Sequence, residues 1–115
     1  MKSLTIITGA DGKARTQQAI KLIAGRKCSK IYGYDQGIIE NVLIIDEPTL
    51  VWIDDATIDD LMLPFLLQPT FSFNKKVQDN SFESVHMPMP HFIICLLDAF
   101  VCPNVYANQI EVINL

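Results

Sequence analysis

The sequence predicts an α/β fold of three layers, a mainly parallel sheet with flanking helices, plus a β-hairpin insertion. Three observations carry this. Several apolar runs show no alternation, which suits strands covered on both faces. A β-branched run, a glycine-bearing turn and an amphipathic stretch follow one another at the start, and further apolar strands come after, the pattern of a parallel sheet with right-handed crossovers. Half of the 115 residues are hydrophobic and 19% are charged, enough for one core, so residues 1–115 read as a single domain.

Taken in order, Leu4 to Thr8 reads as the first strand and Gly9 to Lys13 as the turn. Ala14 to Ala24 reads as a helix with Ala19, Ile20, Ile23 and Ala24 on its apolar face and Gly25 as its stop. Lys30 to Tyr34, Val42 to Ile45 and Leu50 to Ile53 read as strands. Ile58, Leu61, Met62, Phe65 and Leu66 recur at helical spacing, so Ile58 to Leu67 reads as a helix that Pro64 must bend or break. Thr70 to Phe73 and Ser81 to Val85 alternate as hairpin strands around the polar Asn74 to Asn80. His91 to Leu97 reads as a buried strand and Ile110 to Leu115 as the last.

The net charge of -4 offers no general attraction to nucleic acid or anionic membrane, so nucleic acid would be met only through a partner or a local patch. Cys28, Cys95 and Cys102 are odd in number and lack metal-ligand spacing; buried, reduced thiols and a cytoplasmic location follow. The opening MKSLTIITGADGKART has too short an apolar stretch for a secretory signal or a spanning helix and reads as part of the fold.

Ligands of parallel α/β sheets sit at the carboxyl ends of the strands, where Gly9 to Thr16, Asp46-Glu47, Asp54-Asp55 and Asp98 fall. A phosphate loop needs small residues so that backbone N–H groups converge, a cation for the β and γ groups, and a hydroxyl for Mg²⁺. The segment Gly9, Ala10, Asp11, Gly12, Lys13, Ala14, Arg15, Thr16 keeps the length of G-x-x-x-x-G-K-[ST]. Ala14 replaces its second glycine and Arg15 its lysine.

On these residues the chain resembles the P-loop NTPases, in particular the AAA+ and superfamily-three helicase-like cores. The resemblance implies ATP held by Gly9 to Thr16, with Mg²⁺ at Thr16 and at the first acid of a second motif, an apolar strand ending in two acidic residues. Leu50 to Asp55 is preferred for that motif, with Asp54 binding the metal through water and Asp55 as the catalytic residue that polarises the attacking water; Val42 to Glu47, ending in Asp46-Glu47, is the runner-up. Phe92 to Asp98 resembles the family's sensor strand, with Leu97 at the polar sensor position. No lysine or arginine follows Lys76, so no late arginine can come from this half. The resemblance therefore implies weak nucleotide binding and poor hydrolysis, with a homo-oligomer as a compatible state.

Structural readings stand beside these. Gly9 to Thr16 also fits an ordinary strand-to-helix turn capped by Asp11, and Asp54-Asp55 with Asp59-Asp60 fits a solvated loop before an acidic helix start. Trp52 reads as core, and His86 and His91 as residues of a loop entering a strand. The alternative function is a non-catalytic interaction or assembly domain that kept the fold and lost the nucleotide site.

Overall fold

The computed structural model describes residues 2–115, with Asp55 described by its backbone alone. The strands are β1 (Leu4–Thr8), β2 (Cys28–Tyr32), β3 (Leu50–Ala56), β4 (Thr70–Gln78), β5 (Ser81–Pro88), β6 (His91–Leu96) and β7 (Ile110–Asn114). The helices are α1 (Gly12–Ile23), α2 (Gln36–Asp46) and α3 (Leu63–Leu66), with a 3₁₀ turn at Asn104–Tyr106. Five strands form one parallel sheet in the order β2-β3-β6-β1-β7, while β4 and β5 form a separate antiparallel ribbon.

Side chains of a strand alternate between faces, and here both faces are apolar. Leu4 and Ile6 of β1, Val51 and Ile53 of β3 and Phe92, Ile94 and Leu96 of β6 join Ile39 and Leu43 of α2, Leu63 and Leu66 of α3 and Phe71 of the ribbon in one core. Ile7, Leu50, Trp52, Ile93 and Cys95 point the other way, onto Ala19, Leu22 and Ile23 of α1. Each fully buried Leu, Ile or Phe contributes roughly 1.5–3 kcal/mol, so this two-sided burial fixes the three layers. No helix among the described residues is long and apolar enough to cross a membrane.

Four expectations need correction. Val42 to Ile45 is not a strand but the second half of α2. Asp35 caps that helix by accepting from Ile38 N at 3.1 Å, and Ile39 and Leu43, four apart, bury one stripe against the sheet. The helix foreseen over 58–67 shrinks to Leu63–Leu66, because Pro64 fits only a first turn. The hairpin strands run on to Gln78 and Pro88, and Asp79 and Asn80, both at positive φ, make the two-residue turn. The phosphate-loop reading calls for the first strand inside the sheet and next to the strand of Asp54; it lies inside, but β6 separates the two. Smaller shifts move the second strand to Cys28–Tyr32 and end the last two at Leu96 and Asn114.

Candidate functional site

Gly9 to Thr16 lies at the carboxyl end of β1. Gly9 adopts φ +154°, a backbone that side chains rarely take, and a Cβ there would stand 3.1 Å from Leu115 Cβ. Ala10 and Asp11 follow in the open, and Asp11 caps α1 by accepting from Lys13 N at 3.0 Å. That N–H is one of those a phosphate would take, and the carboxylate brings like charge to the same helix end. Gly12, Lys13, Thr16 and Gln17 line an open depression of about 440 Å³ beside it. Ala14 and Thr16 are half-buried and Lys13 is exposed.

Arg15 does not reach outward. It is 5% exposed, donates from Nη1 to the Gly9 carbonyl oxygen, and its Nη2 would lie 3.6 Å from a Cβ on Gly12. The guanidinium thus occupies the inner side of the loop, bonded to Gly9 and close beside Gly12.

The acidic pair lies at the same sheet end as the loop, with β6 between their strands. In the β3–β6 register Ile53 pairs with Ile94 and Ala56 with Leu96, so Asp54 and Asp55 form a bulge opposite the single residue Cys95. Bulges re-aim side chains at such edges. The Asp55 side chain, expected to polarise water, lies outside the described residues. Asp54 is 13% exposed, and Lys30 Nζ stands 3.8 Å from its Oδ2. Lys30 lies 4.0 Å above the Trp52 ring and 4.8 Å above that of Tyr32. Trp52 is buried, as a core residue should be.

Cys95 reports how these groups converge. Burial pushes its thiol up and Asp54 pushes it further, while Trp52, Arg15 and Lys30 act in the opposite direction. The Trp52 indole N–H has no acceptor in bonding geometry among the described residues, so its influence on Cys95 is that of a near neighbour and not of a formed bond. Cys95, on the strand between β1 and β3, thus feels the Asp54 carboxylate and the loop arginine in opposite senses.

Sequence reasoning overlooked Lys30, Cys95 and Asn114. Lys30 follows an unremarkable CSKIY run; only the pairing of Lys30 with Trp52 and of Tyr32 with Asp54 sets it diagonal to the carboxylate. Asn114 accepts from Thr8 Oγ1 at 2.7 Å, beside Gly9. Leu97, the residue the resemblance places at the sensor position, is exposed and cannot hydrogen-bond through its side chain. Asp46 and Glu47 are remote: Asp46 ends α2, accepts from Ser29 Oγ at 3.1 Å near the start of β2, and Glu47 is the left-handed residue after it. Both belong to the amino-terminal side of the sheet.

For Mg²⁺, the donors foreseen are the Thr16 hydroxyl and the Asp54 carboxylate, and among the described residues no three His, Cys, Asp or Glu side chains group around a possible ion. With an ammonium already beside Asp54, the residues present do not fit the ion as they stand.

No family model and no curated protein matches the chain. Among solved structures, the apo A form of the NrS-1 C-terminal region is similar in fold, with a TM-score of 0.56 at 16% identity. The match covers 96% of this chain and 28% of that one, so the chain spans little more than a quarter of its neighbour.

Proposed function

We propose that the chain is a P-loop nucleotide-binding module, related in plan to helicase and AAA+ cores, that hydrolyses nucleotide poorly on its own. The observation that carries this is that the Gly9–Thr16 turn and the Asp54–Asp55 bulge lie at one carboxyl edge, with β6 alone between their strands. Helix α1 starts at that edge, and its positive end favours a phosphate, although Asp11 already takes the Lys13 N–H. The work of the chain's own residues would be binding: Gly12 and Lys13 at the phosphates, Thr16 at the rim, and Arg15 beneath the loop.

A second reading, an interaction or assembly domain that has kept the fold without the site, draws support from the burial of Arg15 and from the Asp11 cap. A local nucleic-acid patch finds little support on the ribbon: Lys75 and Lys76 near its tip are matched by Asp79 and Glu83, with Lys75 directly opposite Glu83. Thermal unfolding with ADP, ATP and inorganic phosphate, each with and without Mg²⁺, separates the two readings. A ligand at a hundred times its Kd stabilises the fold by about 2.7 kcal/mol; no shift with any of them at millimolar concentration leaves the assembly domain standing.

A further inference from the structure

The carboxylate of Asp54 is where a P-loop protein would need a divalent cation, and a cation of another kind is already there. Lys30 reaches it from the neighbouring strand. Its Nζ is 3.8 Å from Oδ2, and it is held in place from below, 4.0 Å from the Trp52 ring and 4.8 Å from the Tyr32 ring. An ammonium over an aromatic face is attracted by the ring quadrupole, most strongly over tryptophan. The Trp52 ring is buried and so cannot move aside, whereas Tyr32 is exposed.

Mg²⁺ bonds carboxylate oxygen at about 2.0–2.1 Å and insists on near-octahedral surroundings. An ion held by Oδ2, directly or through a water, would lie within a few ångströms of the ammonium, in a partly desolvated site where like charges are poorly screened. To admit it, Lys30 must leave Asp54 and its place over the two rings. The lysine already sets a positive charge beside the carboxylate that a metal would otherwise face.

We propose that Lys30 is the standing counter-cation of Asp54 in place of a divalent ion, so that a nucleotide taken by this site is taken without a metal bridge to β3. The first half concerns Lys30 and Asp54 alone; the second rests on the nucleotide-binding reading above.

The test follows the indole N–H resonance of Trp52, the chain's one tryptophan, in the ¹⁵N-labelled protein during titration with Mn²⁺ alone. Mn²⁺ broadens nearby nuclei even when it binds weakly. In the wild type, and in Lys30→Arg, which keeps the charge, the Trp52 signal should be broadened no more than in Asp54→Asn. In Lys30→Met it should broaden at a Mn²⁺ concentration at least tenfold lower, and adding Asp54→Asn to Lys30→Met should abolish the gain. Broadening in the wild type that Asp54→Asn removes would overturn the proposal, as would a folded Lys30→Met that gains none. Should Lys30→Met fail to fold, the comparison of wild type with Asp54→Asn still decides. In a parallel arm, ADP affinity of the wild type should be the same, within twofold, with Mg²⁺ or with EDTA. A Mg²⁺ requirement overturns the second half, and absence of ADP binding in both conditions counts against the nucleotide reading while leaving the Mn²⁺ result intact.

Discussion

Arg15 turns its guanidinium back to donate to the carbonyl oxygen of Gly9, so the residue at the lysine place of the motif closes the loop it would be expected to reach out of. Hydrogen bonds from charged groups are worth about 1.5–3 kcal/mol, and truncating one leaves its buried partner unmet. Arg15→Ala should therefore lower stability by about that amount in urea unfolding. A loss under roughly 0.5 kcal/mol, the range of an ordinary surface change, would show that the loop holds its shape without the arginine.

Restoring the motif with Ala14→Gly and Arg15→Lys should raise affinity for ADP. The glycine removes a methyl where backbone must approach phosphate, and the lysine carries a compact ammonium in place of a planar fork that fits the carbonyl of Gly9. Glycine in the first turn of α1 costs at most about 1 kcal/mol, so the fold should survive. Calorimetric titration compares the double variant with its parent. If neither binds, the Asp11 carboxylate at the helix start becomes the suspect, and Asp11→Ser, which keeps a cap without the charge, is the next variant.

Gly9→Ala separates two costs at one position. A backbone at φ +154° strains any side chain, and the new Cβ would also meet Leu115 Cβ at 3.1 Å. Together these should destabilise by roughly 1–3 kcal/mol. Adding Leu115→Gly removes the contact and leaves the strain, so the double variant should recover part of the loss. Full recovery in thermal unfolding would mean that the backbone at Gly9 is not strained, and no recovery that Leu115 plays no part.

Much of this architecture was legible because it depends on local pattern. Leu4 to Thr8, the glycine turn and the helix after it are consecutive, and their apolar spacing admits few alternatives. Val42 to Ile45 misled because four β-branched or large apolar residues in a row satisfy a strand as well as a buried helix. The deciding signals lay outside the run, in the Asp35 cap and the left-handed Glu47 before Pro48. The site was legible only in part. That the turn and Asp54 share a sheet end follows from reading both strands as parallel, whereas Lys30 reaches Asp54 by lateral register between β2 and β3, and a bulge shifts the acid pair against Cys95. Register and bulges depend on partners distant in sequence. The inward turn of Arg15 likewise depends on where the Gly9 carbonyl points, which no residue type reveals.

Turnover of ATP by the isolated chain should stay barely above background. Leu97 offers no polar group at the sensor position, and no lysine or arginine follows Lys76. Arginine fingers alone are worth roughly 10³ to 10⁵ in rate. A phosphate-release assay showing robust turnover that Asp54→Asn abolishes would prove this expectation wrong.

Acid should weaken the fold through His91. Burial pushes its imidazole below the ordinary value of 6.5, Arg26 adds to this, and a backbone contact with Lys2 and the Glu111 carboxylate oppose it. The ring is also bonded to Thr5, with Nε2 and Oγ1 2.9 Å apart. Because the folded value lies below the unfolded one, the unfolded chain takes up a proton that the folded chain refuses. Stability therefore falls as pH drops below the ordinary value, until the folded value is passed, and is flat above it. Urea midpoints should decline as pH falls from about 6.5 to about 5.5, a window that stops short of most carboxylate titration. In His91→Gln, whose amide can still meet Thr5, the decline should shrink, since the remaining groups titrate as before. Equal declines in both proteins would mean that the imidazole protonates as readily in the folded chain as in the unfolded one, and that its burial against Thr5 has no hold on its charge.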